Sequence, residues 1–152
     1  MSQPNTLHTQ IFSHESRGRR SHPYVAIQAV GSWKYLSVQG TTLPWESGAK
    51  IVKCDAAKID LQEKFQLHET DNVHIALEDS RRNFISVNPS GAASGSGNIQ
   101  SWERFKLIPV NGINNAINDY YILTVHGTYL AEAGGALTVT AQPTTVFRIL
   151  DL

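Results

Sequence analysis

From His22 onward the chain consists of short apolar runs separated by turn-forming residues. In the first run, Tyr24 to Val30, apolar and polar positions alternate crudely before Gly31. Short runs of this kind between glycine, proline and asparagine residues are typical of β-strands. Further strands are predicted at 33–38, 65–67, 73–77, 84–87, 105–108, 120–125 and 137–140.

One segment, Asp55–Glu63, has a helical pattern, with Asp55 as a candidate N-cap. This segment is too short to form a layer of its own. The hydrophobic pattern therefore predicts an all-β domain.

Three segments of the chain share the same order of strands. Each has an opening strand, an aromatic–aliphatic pair and a closing strand that starts with phenylalanine. The pairs begin at Tyr35, Phe84 and Tyr129, and the closing residues are Phe65, Phe105 and Phe147. Three repeats are too few for a propeller, which has about 4–8 blades. A closed barrel with pseudo-threefold symmetry, capped by hairpins, fits three repeats and leaves no open strand edge.

This threefold unit resembles the β-trefoil superfamily, which implies a six-stranded barrel capped by three hairpins. Tyr129-Leu130-Ala131, with Val139-Thr140-Ala141 and Phe147-Arg148-Ile149, looks most like fascin-like trefoils. Trefoils include lectins, actin-binding modules, growth factors and protease inhibitors, so the resemblance leaves the function open. The resulting boundaries are a flexible polar tail at 1–22 and a single trefoil at 23–152, with repeats at about 23–70, 71–112 and 118–152.

Charge and cysteine content narrow the classes of function. Thirteen Lys and Arg balance thirteen Asp and Glu, whereas nucleic-acid-binding domains are usually basic. The one basic cluster, Arg17 to Arg20, lies in the tail, which carries +2 and leaves −2 for the rest. One cysteine, Cys54, excludes an internal disulfide and any multi-cysteine zinc site. We expect no nucleic-acid partner.

The chain has no apolar run near the ~18 residues that a membrane span requires. Its N-terminus is polar and has no signal-peptide pattern. The sequence therefore predicts a cytoplasmic protein, or one released without the classical route, with no membrane span.

Motifs for catalysis are missing from the sequence, including the nucleophile elbow, the zinc-protease motif and the phosphate loop. Glu78 and Asp79 are neighbours, so on a strand they would point to opposite faces. Cys54 is interpreted as a small residue packed on a strand. The histidines of the repeats show no metal-ligand spacing: His68, His74 and His126. We expect a protein without catalytic activity, cofactor or metal.

Candidate sugar-binding residues are found in the loops. A sugar site combines planar amides or carboxylates, which bind hydroxyls, with an aromatic face. Trp45 lies in a long hairpin loop, and Trp102 follows Asn98 in a glycine-serine-rich region. Gln100-Ser101-Trp102 matches the Gln-x-Trp signature of ricin-type lectins, but Phe105 already fills the closing core position. Trp102 is therefore predicted to form a surface platform.

Further candidates follow from the resemblance to sugar-binding trefoils, where a polar residue after the aromatic–aliphatic strand often contacts ligand. The residues near this point are Gln39, Asn88 and Glu132. His126, which precedes Gly127 in a predicted tight turn, is a further candidate for ligand contact, and the alternative is that it only stabilises the turn.

Two expectations concern the neighbouring segments. Trp33 precedes Tyr35 by two positions, and we expect it to pack in the core. The loop from Pro89 to Asn98 is rich in glycine and serine, so its hairpin strand is expected to be degenerate.

A soluble lectin that binds glycans or glycoproteins is the predicted function, because tryptophans lie outside the predicted core of a trefoil with little net charge. One alternative is a fascin-like, actin-associated module, which would need to self-associate to cross-link filaments. The other is a protease inhibitor that inserts Leu43-Pro44-Trp45 or the second-repeat loop into an enzyme cleft. Self-association as a homo-oligomer stays open.

Overall fold

The computed structural model of the protein describes residues 24–40, 50–111 and 118–152. The predicted tail at 1–22 and the Leu43-Pro44-Trp45 segment, with the candidate Trp45, lie outside the described residues. The described part contains twelve strands and two short 3-10 helices.

Each repeat contributes four strands. The first repeat contains β1 (Val25–Val30), β2 (Tyr35–Gly40), β3 (Lys50–Ala56) and β4 (Phe65–Glu69). The second contains β5 (Ile75–Asp79), β6 (Phe84–Val87), β7 (Ala93–Ser96) and β8 (Phe105–Pro109). The third contains β9 (Asp119–Thr124), β10 (Tyr129–Ala133), β11 (Ala136–Thr140) and β12 (Val146–Asp151). The first and second 3-10 helices, Leu61–Glu63 and Ser101–Glu103, precede β4 and β8.

The first and last strands of the repeats form a closed antiparallel barrel in the order β1, β4, β5, β8, β9, β12 and back to β1. The middle strands form three hairpins, β2–β3, β6–β7 and β10–β11. Strand β3 also pairs with β7 and β11, which joins the hairpins to one another. This is the β-trefoil predicted from the repeats.

Equivalent residues of the three repeats fill the barrel. The closing phenylalanines are fully buried, and each lies opposite an apolar residue of a neighbouring strand. The facing pairs are Val25 with Phe65, Ile75 with Phe105, and Tyr120 with Phe147. Because side chains alternate along a strand, Gln28 and Arg148 point away from this core.

The predicted helix at Asp55–Glu63 is wrong. Strand β3 continues to Ala56, because its backbone pairs with β2, and only Leu61–Glu63 forms a 3-10 turn. The N-cap is Asp60 instead of Asp55.

The expectation that Trp33 packs in the core is also wrong. Its side chain is 50% exposed in the turn between β1 and β2. The turn places Trp33 at φ +62, so the alternation of a strand does not extend from Tyr35 back to Trp33.

Strand β7 is better formed than its composition predicts. All four of its residues pair with β6, and Gly91, at φ +96, forms the turn that leads into it. A β-carbon at Gly91 would lie 2.5 Å from Val139 Cγ2, so glycine also allows the hairpins to pack closely. Backbone pairing in this hairpin does not depend on large side chains.

Candidate functional site

An open cleft of about 500 Å³ lies between β2 and the first 3-10 helix, within the usual size range of small-molecule pockets. Polar side chains from both elements, together with two alanines, form its walls. The lining residues are Ser37, Gln39, Ala56, Ala57, Lys58, Asp60, Gln62 and Glu63.

Gln39, a candidate from the sequence, lies on one wall of this cleft. Its amide nitrogen donates to Asp55 Oδ1 at 3.3 Å and to Ser37 Oγ at 3.4 Å. These two bonds restrain the amide group, whose oxygen can accept a hydrogen bond from a ligand.

The opposite wall is formed around the first 3-10 helix. The buried Glu63 accepts the backbone N–H of Asp60 at Oε1, at 2.7 Å. This bond closes the turn and supports Asp60 and Gln62, which the sequence analysis did not identify. The signal for this wall was the Asp60-x-x-Glu63 spacing of a capping box.

The second repeat contains the same turn. Glu103 Oε1 accepts the backbone N–H of Gln100 at 2.6 Å, as Glu63 does for Asp60. Trp102 therefore occupies the position of Gln62, three residues before the buried Phe105. Its side chain is 43% exposed, which confirms that Phe105, and not Trp102, fills the closing core position.

Trp102 and His126 are brought together from different repeats. Their ring centroids lie 6.1 Å apart in an edge-to-face arrangement, at 64°. His126 Nε2 donates to the carbonyl oxygen of Val87 at 2.8 Å, so the ring lies at the end of β6, beside the backbone of Asn88. The structure therefore places three sequence candidates around one end of β6.

Asn88 itself supports the hairpin turn. Its Oδ1 accepts the backbone N–H groups of Ser90 and Ala92, both at 3.0 Å, and the Ser90 hydroxyl at 2.7 Å. This oxygen is therefore occupied by the turn, and the amide nitrogen is the group with which Asn88 could contact a ligand. Asn98 lies exposed in the loop after β7, where its backbone N–H donates to Ser96 Oγ at 3.3 Å.

Glu132 is not equivalent to Gln39 and Asn88. It aligns with the buried Val38 and Val87, one residue earlier in the strand, so Ala133 takes the position of Gln39. Glu132 Oε2 accepts the backbone N–H of Gly135 at 2.8 Å and closes the tight β10–β11 turn. The structure therefore separates Glu132 from the other candidates and gives it a structural role.

The third repeat keeps one amide, Gln142, at the position of Asp60, but its other side chains are smaller than those of the cleft. Ala131 and Ala133 stand where the first repeat has Ser37 and Gln39, and Thr144 stands at the position of Gln62. These small side chains offer few groups for a ligand.

Cys54 is fully buried, as predicted. Burial, together with the nearby carboxylate of Glu132, raises the pKa of its thiol to about 12. A thiol that stays protonated at neutral pH is a weak nucleophile. Across residues 24–40, 50–111 and 118–152, no three His, Cys, Asp or Glu side chains are grouped as metal ligands would be.

Several solved structures share this architecture. SeviL, solved with asialo-GM1 saccharide, has a TM-score of 0.65 at 15% identity, with 86% of this chain and 98% of SeviL covered. The designed threefold-symmetric protein ThreeFoil has a TM-score of 0.66 at 16% identity, over 85% of this chain and 99% of its own. The chain has a β-trefoil fold.

A third similar structure is a GlcNAcα1-4Gal-releasing endo-β-galactosidase from Clostridium perfringens. It has a TM-score of 0.68 at 12% identity, over 86% of this chain and 32% of the enzyme. At these identities the three structures show the fold alone, and the fascin-like resemblance stays a prediction.

Sequence comparison gives one curated relative, a Dictyostelium discoideum protein named as an uncharacterized transmembrane protein. It is 29% identical over 111 residues, which make up 71% of this chain and 24% of that protein. This chain thus spans about a quarter of the relative's length. Among the described residues, no helix is both long and apolar enough to cross a bilayer. No protein-family model matches the chain.

Proposed function

We propose that this trefoil is a non-catalytic carbohydrate-binding protein whose partners are glycans or glycoproteins. The observation that carries the proposal is the cleft of the first repeat, with planar amide and carboxylate side chains on opposite walls. Sugar hydroxyls both donate and accept hydrogen bonds, so a site needs donors and acceptors close together. Gln39, Gln62 and Asp60 supply both, and Lys58 adds a further donor.

The second repeat supplies the apolar half of sugar recognition. The Trp102 ring is exposed, and His126 packs against it edge-to-face. A ring restrained in this way can stack on the C–H face of a pyranose with little loss of side-chain entropy. We expect the first two repeats to bind sugar and the third, with alanines at the equivalent positions, to have no site.

The structural similarity to SeviL supports this proposal, because that trefoil was solved with a bound saccharide. The buried Cys54 thiol, whose pKa is raised to about 12, is a weak nucleophile, so it does not favour thiol catalysis as an alternative.

Glycan-array screening of the full chain tests the function, and Gln62→Ala tests the site. Loss of one ligand hydrogen bond should weaken binding to the array hit by about tenfold, as measured by calorimetry. The matched control is Gln142→Ala, which removes an exposed amide near the corresponding turn of the third repeat and should leave affinity unchanged. A protein that binds no glycan, or equal losses in both variants, would contradict the proposal.

A further inference from the structure

One turn position has an unusual backbone conformation in all three repeats. Two residues before the aromatic–aliphatic pair, Trp33, Arg82 and Gly127 have φ values of 62°, 69° and 84°. Glycine adopts this conformation without cost, whereas a side chain with a β-carbon is strained there. Neither the turn nor the core therefore requires an aromatic residue at Trp33, which stays half exposed.

The Trp33 side chain lies beside a fixed ion pair. The Arg148 guanidinium carbon lies 5.4 Å from the centre of the Trp33 ring, a cation–π distance. Arg148 donates from Nε and Nη2 to the two carboxylate oxygens of Asp119, at 2.8 and 3.1 Å. The Trp33 carbonyl accepts Gln28 Nε2 at 3.1 Å, which ties the turn to the barrel wall.

Trp33 and Arg148 lie on the outside of the barrel, and Asp119, which binds Arg148, is largely buried. Arg148 on β12 is opposite Gln28 on β1 and Asp119 on β9. None of them lines the first-repeat cleft or belongs to the Trp102–His126 pair. The group is therefore a surface distinct from both.

We propose that Trp33, held in place by the Arg148–Asp119 ion pair, forms an additional sugar-binding surface that takes a neutral pyranose, an inference that rests on the proposed function. The exposed indole stacks on the C–H face of the ring. The Arg148 guanidinium lies over one face of the indole and is fixed there by its two bonds to the largely buried Asp119, so the ring is held in place and its other face is the one that stacks on the sugar. Because Asp119 compensates the charge of Arg148, the surface favours a neutral sugar over an acidic one.

Indole and amide NMR signals of ¹⁵N-labelled full-length protein test this surface. The probes are the methyl glycosides of galactose, glucose, mannose and N-acetylglucosamine, with N-acetylneuraminic acid as the acidic comparison. At least one neutral glycoside should shift the Trp33 indole signal, and the shift should persist in a Gln62→Ala/Trp102→Ala double variant. A Trp33 signal that responds only to N-acetylneuraminic acid would overturn the proposal.

Trp33→Gly removes the ring at a position where the backbone favours glycine. In this variant the amide signals of Arg148 and Asp119 should no longer respond to the glycoside. They should respond as in the wild type in Arg82→Gly, the same change in the second repeat. If the Gln39 and Trp102 signals shift and Trp33 does not, this inference is wrong and the proposed function stands. If no signal shifts with any sugar, both fail.

Discussion

Asp79→Ala should lower the free energy of unfolding by about 3 kcal/mol, because two backbone N–H groups lose the buried carboxylate that accepts them. Asp79 is 2% exposed, and its Oδ1 accepts the N–H groups of Arg81 at 2.9 Å and Asn83 at 2.7 Å. Oδ2 accepts Asn83 Nδ2 at 3.2 Å. These bonds fix the β5–β6 turn that holds Arg82 in its left-handed conformation. Urea denaturation measures the loss.

Asp71→Ala is the matched control. Asp71 Oδ1 also accepts two backbone N–H groups, those of Val73 and His74, both at 2.8 Å. Its side chain is 41% exposed, so water can replace the carboxylate, and we expect a loss below about 1 kcal/mol. Equal losses at Asp71 and Asp79 would show that burial does not set the cost.

The carboxyl group of Asp79 should also make the difference in stability between the wild type and Asp79→Asn depend on pH. Burial raises the pKa of Asp79 above its ordinary value of 3.8, although its hydrogen bonds partly oppose this. The folded protein thus holds the proton more tightly than the unfolded chain. The stabilisation that this proton confers is complete below pH 3.8, the ordinary pKa, and is lost as the pH rises through the pKa of the folded protein. The stability of Asp79→Asn relative to the wild type should therefore increase over that range.

Trp102→Ala should weaken glycan binding at the second repeat by about 30-fold, because buried aromatic anchors at binding sites contribute about 2 kcal/mol or more. The amide signals of Asn88 and His126 report this site in an NMR titration. The side chain is partly exposed, so the fold should survive the change. Trp102→Phe, which keeps an aromatic face, should retain most of the affinity.

Thr144→Ala changes the corresponding position of the third repeat and should leave the affinity as it is. If Trp102→Ala binds as the wild type does, the ring is not a sugar platform. If the loss accompanies unfolding, detected as collapse of the dispersed amide signals, the effect is structural.

The fold was predictable because the same order of strands occurs three times along the sequence. The closing phenylalanines recur at similar intervals, and one buried aromatic residue per repeat is enough to align the barrel strands. The segment Asp55–Glu63 misled because Asp55, the candidate N-cap, belongs to β3, and the capping box that does form, from Asp60 to Glu63, closes only a 3-10 turn. The pairing of β3 with β2, which extends the strand to Ala56, excludes a helix that begins at Asp55.

The candidate site was predictable only in part. The sequence identified Gln39 on one wall of the cleft, but it missed Asp60 and Gln62 on the other. These two side chains face the cleft only because the 3-10 turn folds the loop back toward β2, and the sequence pattern alone does not give the path of that loop. Asn88, Trp102 and His126 were named one by one, and the bond from His126 to Val87 brings them together. Glu132 differs from Gln39 and Asn88 because it lies one residue earlier in its strand, and a shift of one residue reverses the face of a side chain.

A crystal structure of the full chain with the array-selected glycan bound tests the carbohydrate-binding assignment most directly. We expect sugar density in the first-repeat cleft, within hydrogen-bonding distance of Gln39 and Gln62, and over the Trp102 ring in the second repeat. The corresponding surface of the third repeat, around Ala133 and Thr144, should be empty. Sugar bound at the third repeat, with the cleft and Trp102 both vacant, would contradict the assignment.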